Sequence, residues 1–143
     1  MNPHGTLLAI GGGLSLAAAA LHLACIAGGP GWYRFLGAGE AMARLAGRGD
    51  WRPAAITIAI AAVLAIASAY AFSGAGLIRR LPMLRTGLVL VSAVYLLRGL
   101  VVAMPSALRR PDLSPEFLLW SSLIVLAIGL IHAIGTWQIW SEL

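Results

Sequence analysis

The sequence predicts an all-α membrane protein: a four-helix transmembrane bundle with a short interfacial helix between its first two spans. Three observations predict it. Of 143 residues, 60% are hydrophobic and only 10% are charged, whereas a soluble domain carries roughly 25% charged residues. The apolar residues fall into four runs, each near the ~20 residues that a spanning helix needs. Glycine and proline punctuate the chain between those runs. One integral membrane domain covering 1–143 is the natural count at this length.

The first span runs from about Thr6 to Ala27 and is closed by Gly28-Gly29-Pro30-Gly31. It is expected to be retained as a helix. Met1 to Thr6 lacks the basic residues of a signal peptide, and His22 stands where a lipoprotein box before Cys25 wants a leucine-like residue. The connection Gly28 to Arg52 is the longest. It holds Trp32-Tyr33-Arg34-Phe35, suited to the headgroup level, and then Glu40 and Arg44 at ion-pair spacing on a helix. These predict an interfacial or partly re-entrant helix between Gly37 and Gly47. The second span is about Pro53 to Phe72, the third about Pro82 to Met104, and the fourth about Pro115 to Trp140. Ser114-Pro115-Glu116 is a well-formed helix start: a capping hydroxyl, a first-turn proline and an acid at the positive end of the dipole.

The net charge is +5 and every basic residue is an arginine. Because these arginines flank apolar runs, they read as topology signals and headgroup contacts, and nucleic acid is excluded as a partner. The face bearing the first and third connections, end B, carries Arg34, Arg44, Arg48, Arg52, Arg109 and Arg110. The opposite face, end A, carries Arg79, Arg80 and Arg85. The positive-inside rule makes end B cytoplasmic, with both termini outside, in a bacterial inner membrane.

Counting from helix ends, His22 and Arg98 each lie roughly 9 Å below end B. Tyr95 is one turn deeper, and Thr57, Trp120, Ser121 and Ser122 fall at similar depth. Glu40 and Trp32 are placed to cover this layer. The stripes Gly11-Ser15-Ala18-His22-Cys25 and Ser122-Val125-Gly129-His132-Thr136 follow helical spacing and mark faces for close helix contact in lipid. Intramembrane ionisable groups are costly and mark functional sites. The predicted ligand-binding set is therefore His22, Arg98, Tyr95, Glu40, Trp32, Trp120, Ser121 and Ser122. Each also has a plainer reading. Arg98 can snorkel, His22 can bridge helices, Tyr95 and Trp120 can anchor at the interface, and Glu40 can pair with Arg44 in solvent.

His132 lies roughly 15 Å from His22 in depth, so the two are not expected to share a metal or haem. A bond from His132 to Ser68 or to a backbone carbonyl is expected instead. With a single cysteine, Cys25, there is neither a disulfide nor a CxxC motif. GxSxG, HExxH, a P-loop and a mid-membrane carboxylate are also missing. No metal and no cofactor is expected.

Several segments, Leu21-His22-Leu23 with Gly28-Gly29, the proline-started second span ending in a glycine-rich turn, and Tyr95-Leu96-Leu97-Arg98-Gly99, resemble the bacterial membrane family called domain of unknown function 3995. The chain departs from it after Arg98, where Leu100 to Met104 is apolar, and before span four, where Phe117-Leu118-Leu119-Trp120 stands. The resemblance implies a four-helix membrane protein with His22 and Arg98 in shared positions, and implies no activity.

The function these residues favour is binding or transport of a small anionic or amphiphilic ligand, such as a lipid headgroup or a quinone. Arg98 would supply fixed charge, His22 a switchable donor and Tyr95 a hydroxyl. The rivals are an enzyme on a lipid-soluble substrate, with His22 as acid/base and Arg98 stabilising negative charge, and a structural subunit without a ligand. Membrane lipids are the expected partners, and a homo-oligomer is compatible with the small-residue faces.

Overall fold

The computed structural model describes residues 4–100 and 114–143. Its helices are α1 (Thr6–Phe35), α2 (Glu40–Gly47), α3 (Arg52–Gly74), α4 (Leu84–Gly99) and α5 (Pro115–Gln138), followed by a 3-10 turn at Trp140–Glu142. Three of them, α1, α3 and α5, are long and apolar enough to cross a membrane, which is the pattern of a multi-pass membrane protein. The described part of α4 has 16 residues; the predicted end of that span at Met104 lies outside the described residues.

Local chemistry explains most boundaries. Ser114 accepts a hydrogen bond from the Phe117 N–H at 3.2 Å and Pro115 follows it, so α5 starts with a satisfied donor and a pre-set φ. Asp50 accepts from the Arg52 N–H at 2.9 Å at the start of α3. The first span breaks within its predicted closing cluster, but helix continues beyond it. The glycine-rich break does fall at Gly29, which adopts φ 67 and ψ −156, a conformation that suits a residue without Cβ. The chain then resumes as a further helical turn through Phe35, because Pro30 sits where a helix start tolerates its missing N–H. α2 follows within the predicted interval, entered through Gly37 and Gly39, both at positive φ.

The long helices pack mainly as two antiparallel pairs, α1 with α3 and α4 with α5, with lesser contacts joining α1 to α5 and α3 to α4. At end A, Leu8, Ala75, Leu84, Leu88 and Ile139 form a buried cluster. The start of α1, the end of α3, the start of α4 and the end of α5 therefore meet there. Ser73 pins the turn between α3 and α4 by accepting from the Leu81 N–H and donating to the Arg79 carbonyl. Arg80 and Arg85 donate to the Glu142 and Trp140 carbonyls, which suits cations at a helix C-terminal end. At end B, Cys25, Tyr33 and Ala43 form a second cluster, and the Phe117 ring of α5 packs against Gly37.

Polarity is inverted relative to a water-soluble fold. Ile56, Ile58, Ile60, Val63, Ile66, Val89, Leu90, Val94 and Leu97 are exposed, while Ser15, Thr57, Ser68, Ser92, Ser122, His132 and Thr136 are buried. Lipid can cover the former, and the interior must satisfy the latter.

Close approach of α4 and α5 depends on glycine: a Cβ on Gly99 would lie 2.6 Å from Leu126 Cα, and nothing lies within 4 Å of one on Gly13. Gly99→Ala is expected to destabilise the protein by about 1–3 kcal/mol, and Gly13→Ala to cause no loss. Thermal unfolding of both variants in one detergent checks the pair.

Candidate functional site

The best-defined polar group lies at mid-depth. Gly11 makes room for it: a Cβ there would fall 2.8 Å from Cε1 of His132. The His132 ring enters this space from α5 and is fully buried. Its Nδ1 lies 2.9 Å from the Ile128 carbonyl. A carbonyl only accepts, so Nδ1 carries the proton, and Nε2 of the neutral ring is left as an acceptor. Ser15 on α1, also fully buried, stands 3.5 Å from Nε2 and 2.8 Å from the Tyr95 hydroxyl. The order follows: Tyr95 donates to Ser15, and Ser15 makes a long bond to His132. The Tyr95 and His132 rings stack with centroids 5.1 Å apart. Beside them Ser68 of α3 donates to the Gly12 carbonyl at 2.8 Å.

A serine hydroxyl on the Nε2 of a histidine whose Nδ1 is held is the connectivity of an activated nucleophile. Here both groups are sealed from any substrate, the bond is long, and a carbonyl replaces the usual carboxylate. The geometry is that of a lock between helices.

The shared cavity expected for His22, Tyr95 and Arg98 is not the arrangement found. Tyr95 is buried against Ser15 and His132. His22 is half-buried and turns back on its own helix, its Nδ1 2.8 Å from the Ala18 carbonyl. Arg98 is exposed, as its long side chain allows. Trp120 is exposed as well, and Trp32, whose ring folds back over Gly28 at the end of α1, is also exposed. Of the two partners expected for His132, the backbone carbonyl is the one found, that of Ile128, while Ser15 lies near its Nε2 and Ser68 bonds the Gly12 carbonyl.

Glu40 also finds a different partner. Its carboxylate takes two hydrogen bonds from Arg34, at 2.8 and 3.0 Å. The turn through Gly37 and Gly39 folds α2 back beside the last turn of α1, and a forked guanidinium matches a carboxylate better than the i,i+4 geometry to Arg44 does. The bond from Arg34 holds the Glu40 carboxyl below its usual range, and the charge of Arg44 adds to this.

Two predicted residues remain of interest as a pair. Each step along α1 is matched by a step back along α5, since Leu8 meets Gly135 and Gly11 meets His132. Counted onward from those contacts at the helical rise, Ser122 falls at about the depth of Leu21 and His22. Ser121 donates to the Leu118 carbonyl, whereas the Oγ of Ser122 is fully buried with no hydrogen-bond partner. Among the described residues the Nε2 of His22 also has none.

Among the described residues no three His, Cys, Asp or Glu side chains gather to hold a metal. The chain matches no family model, no curated protein and no solved structure.

Two outcomes are expected. A double-mutant cycle of Ser15→Ala with Tyr95→Phe, read by unfolding in detergent, should give a coupling of about 1 kcal/mol, the upper part of the range for bonds between membrane helices. For Glu40, the lowered pKa means that its ion pair adds stability above the ordinary carboxylate range, and that this is lost as pH falls through the lowered midpoint. Carbon-detected NMR titration should place the Glu40 midpoint below that of an ordinary glutamate, and Arg34→Ala should bring it back up.

Proposed function

We infer that this is a four-crossing membrane protein that binds or transports a small amphiphilic ligand, whose polar end meets His22 and Ser122. Four crossings are supported by where the ends meet. Leu84 opens α4 beside Leu8 and Ile139 at end A, and α5 opens with Phe117 on Gly37 at end B. A further crossing that begins with α4, in addition to α1, α3 and α5, fits these positions.

The observation that carries the ligand reading is Ser122. A buried hydroxyl without a partner costs about 1–3 kcal/mol, and every other buried side-chain N or O among the described residues has a partner. At the same level His22 presents an open acceptor, and Ser122 a donor. A ligand alcohol or phenol hydroxyl, which both accepts and donates, would satisfy the two. Arg98 and Tyr95 play no part in this site: one is exposed, and the other is committed to Ser15. An acid/base role for His22 would need a second reactive group beside it, and the self-satisfied Ser15–Tyr95–His132 lock favours a structural subunit as the second reading.

Ser122→Ala separates these. If a ligand bonds Ser122, native mass spectrometry of protein purified in mild detergent is expected to show a small co-purifying amphiphile that this variant loses. If the protein is purely structural, nothing co-purifies, and the variant gains about 1 kcal/mol from removal of the orphan hydroxyl. The topology is checked by labelling single cysteines in a Cys25→Ala background. Ile78→Cys and Ser141→Cys should react from one side of the membrane and Ala41→Cys from the other.

A further inference from the structure

On the outer side of the molecule α4 and α5 do not close on each other. Val89, Ser92 and Leu96 on α4, Ala133 and Trp137 on α5, and Trp140 of the 3-10 turn line a groove of about 290 Å³. The residues on α4 follow helical spacing, and the same stripe leads one turn further out to Arg85. The Arg85 guanidinium lies over the Trp140 ring, 4.6 Å from its centroid, and donates to the Trp140 carbonyl at 3.3 Å. Ser92 and Thr136 use their hydroxyls on the carbonyls of Leu88 and His132, so they present no unmet donor and the floor behaves as apolar surface.

Length and charge identify the occupant. From Leu96 to Arg85 the groove and its mouth run about 16 Å along α4, close to half of a hydrocarbon core of ~30 Å. The groove thus matches one leaflet, with its apolar end near mid-depth and its cation at the surface. Trp137 is 78% exposed, which suits an indole at the membrane interface. Arg79, Arg80 and Arg85 are all exposed at this end and outnumber Glu142, the one acidic residue there among the described residues, so an ammonium headgroup would meet net like charge.

We propose that the groove between α4 and α5 holds an acyl chain of an anionic phospholipid from the leaflet at end A, with the lipid phosphate on Arg85. The site is separate from His22 and Ser122, which lie toward end B, and shares with them only the placement of the chain in a membrane.

The test uses the full chain in mixed micelles containing equal amounts of phosphatidylglycerol and phosphatidylcholine, with retained lipid counted by native mass spectrometry. Retention of phosphatidylglycerol over phosphatidylcholine by about fivefold is expected, the effect of one basic residue near anionic lipid. Arg85→Gln should bring the two lipids to parity, and Arg85→Lys should keep the preference. Ala133→Phe fills the groove without touching charge and should abolish retention of phosphatidylglycerol. Ser122→Ala should leave it unchanged, which distinguishes this site from the one at end B. Equal retention of both lipids by the unaltered protein overturns the proposal, as does a preference that survives Arg85→Gln. Undiminished retention in Ala133→Phe would place the lipid elsewhere and overturn the groove.

Discussion

The approach of α1 to α5 at Gly11 sets the register on which the rest of the structure depends. The imidazole of His132 occupies the volume that a side chain on residue 11 would need. Once the ring is seated there, Ser15 comes within reach of both Nε2 and the Tyr95 hydroxyl, and α4 is fixed against α1 although few other contacts join them. The same register brings Leu8 onto Gly135 and into the end A cluster. In lipid, apolar burial gives little reason for one helix pairing over another. A hydrogen-bonded lock and a set of close glycine contacts take over the role that an oily core has in water.

Much of this was legible in the residues. Lengths of apolar runs located the helices, Ser114-Pro115 located a helix start that is capped as the residue types require, and the glycine-proline cluster located the break at Gly29. The small-residue stripes named Gly11, Ser15 and His132 as inward positions. Depth was not legible. Measured from helix ends, Tyr95 falls near His22. In the structure Gly99 abuts Leu126, about three turns or roughly 16 Å into α5. The two helices of that pair are therefore offset, and Tyr95 arrives at the level of Ser15 and His132. Sequence spacing fixes which side of a helix a residue occupies, but the sliding of one helix along another is set by contacts between distant residues.

Glu40 teaches a related point at the surface. Spacing within one helix favoured Arg44, yet the carboxylate bonds Arg34 across a turn. Two glycines at positive φ, Gly37 and Gly39, reverse the chain between the partners. A reading confined to one helix cannot see a neighbour that a loop brings back. The same turn seats Phe117 on Gly37, so the end B connection ties α1, α2 and the start of α5 into one assembly.

The division into two helix pairs has a consequence for how the protein is made. The first pair holds Ser15 and Ser68, and the second holds Tyr95 and the stacked His132. A ribosome delivers the first pair to the membrane before the second exists. During that interval Ser15 lacks the hydroxyl and imidazole it later bonds, and its side chain can turn only to its own helix. Arrival of the second pair completes the polar seam, so the Ser15–Tyr95 bond can form only once the two helix pairs dock.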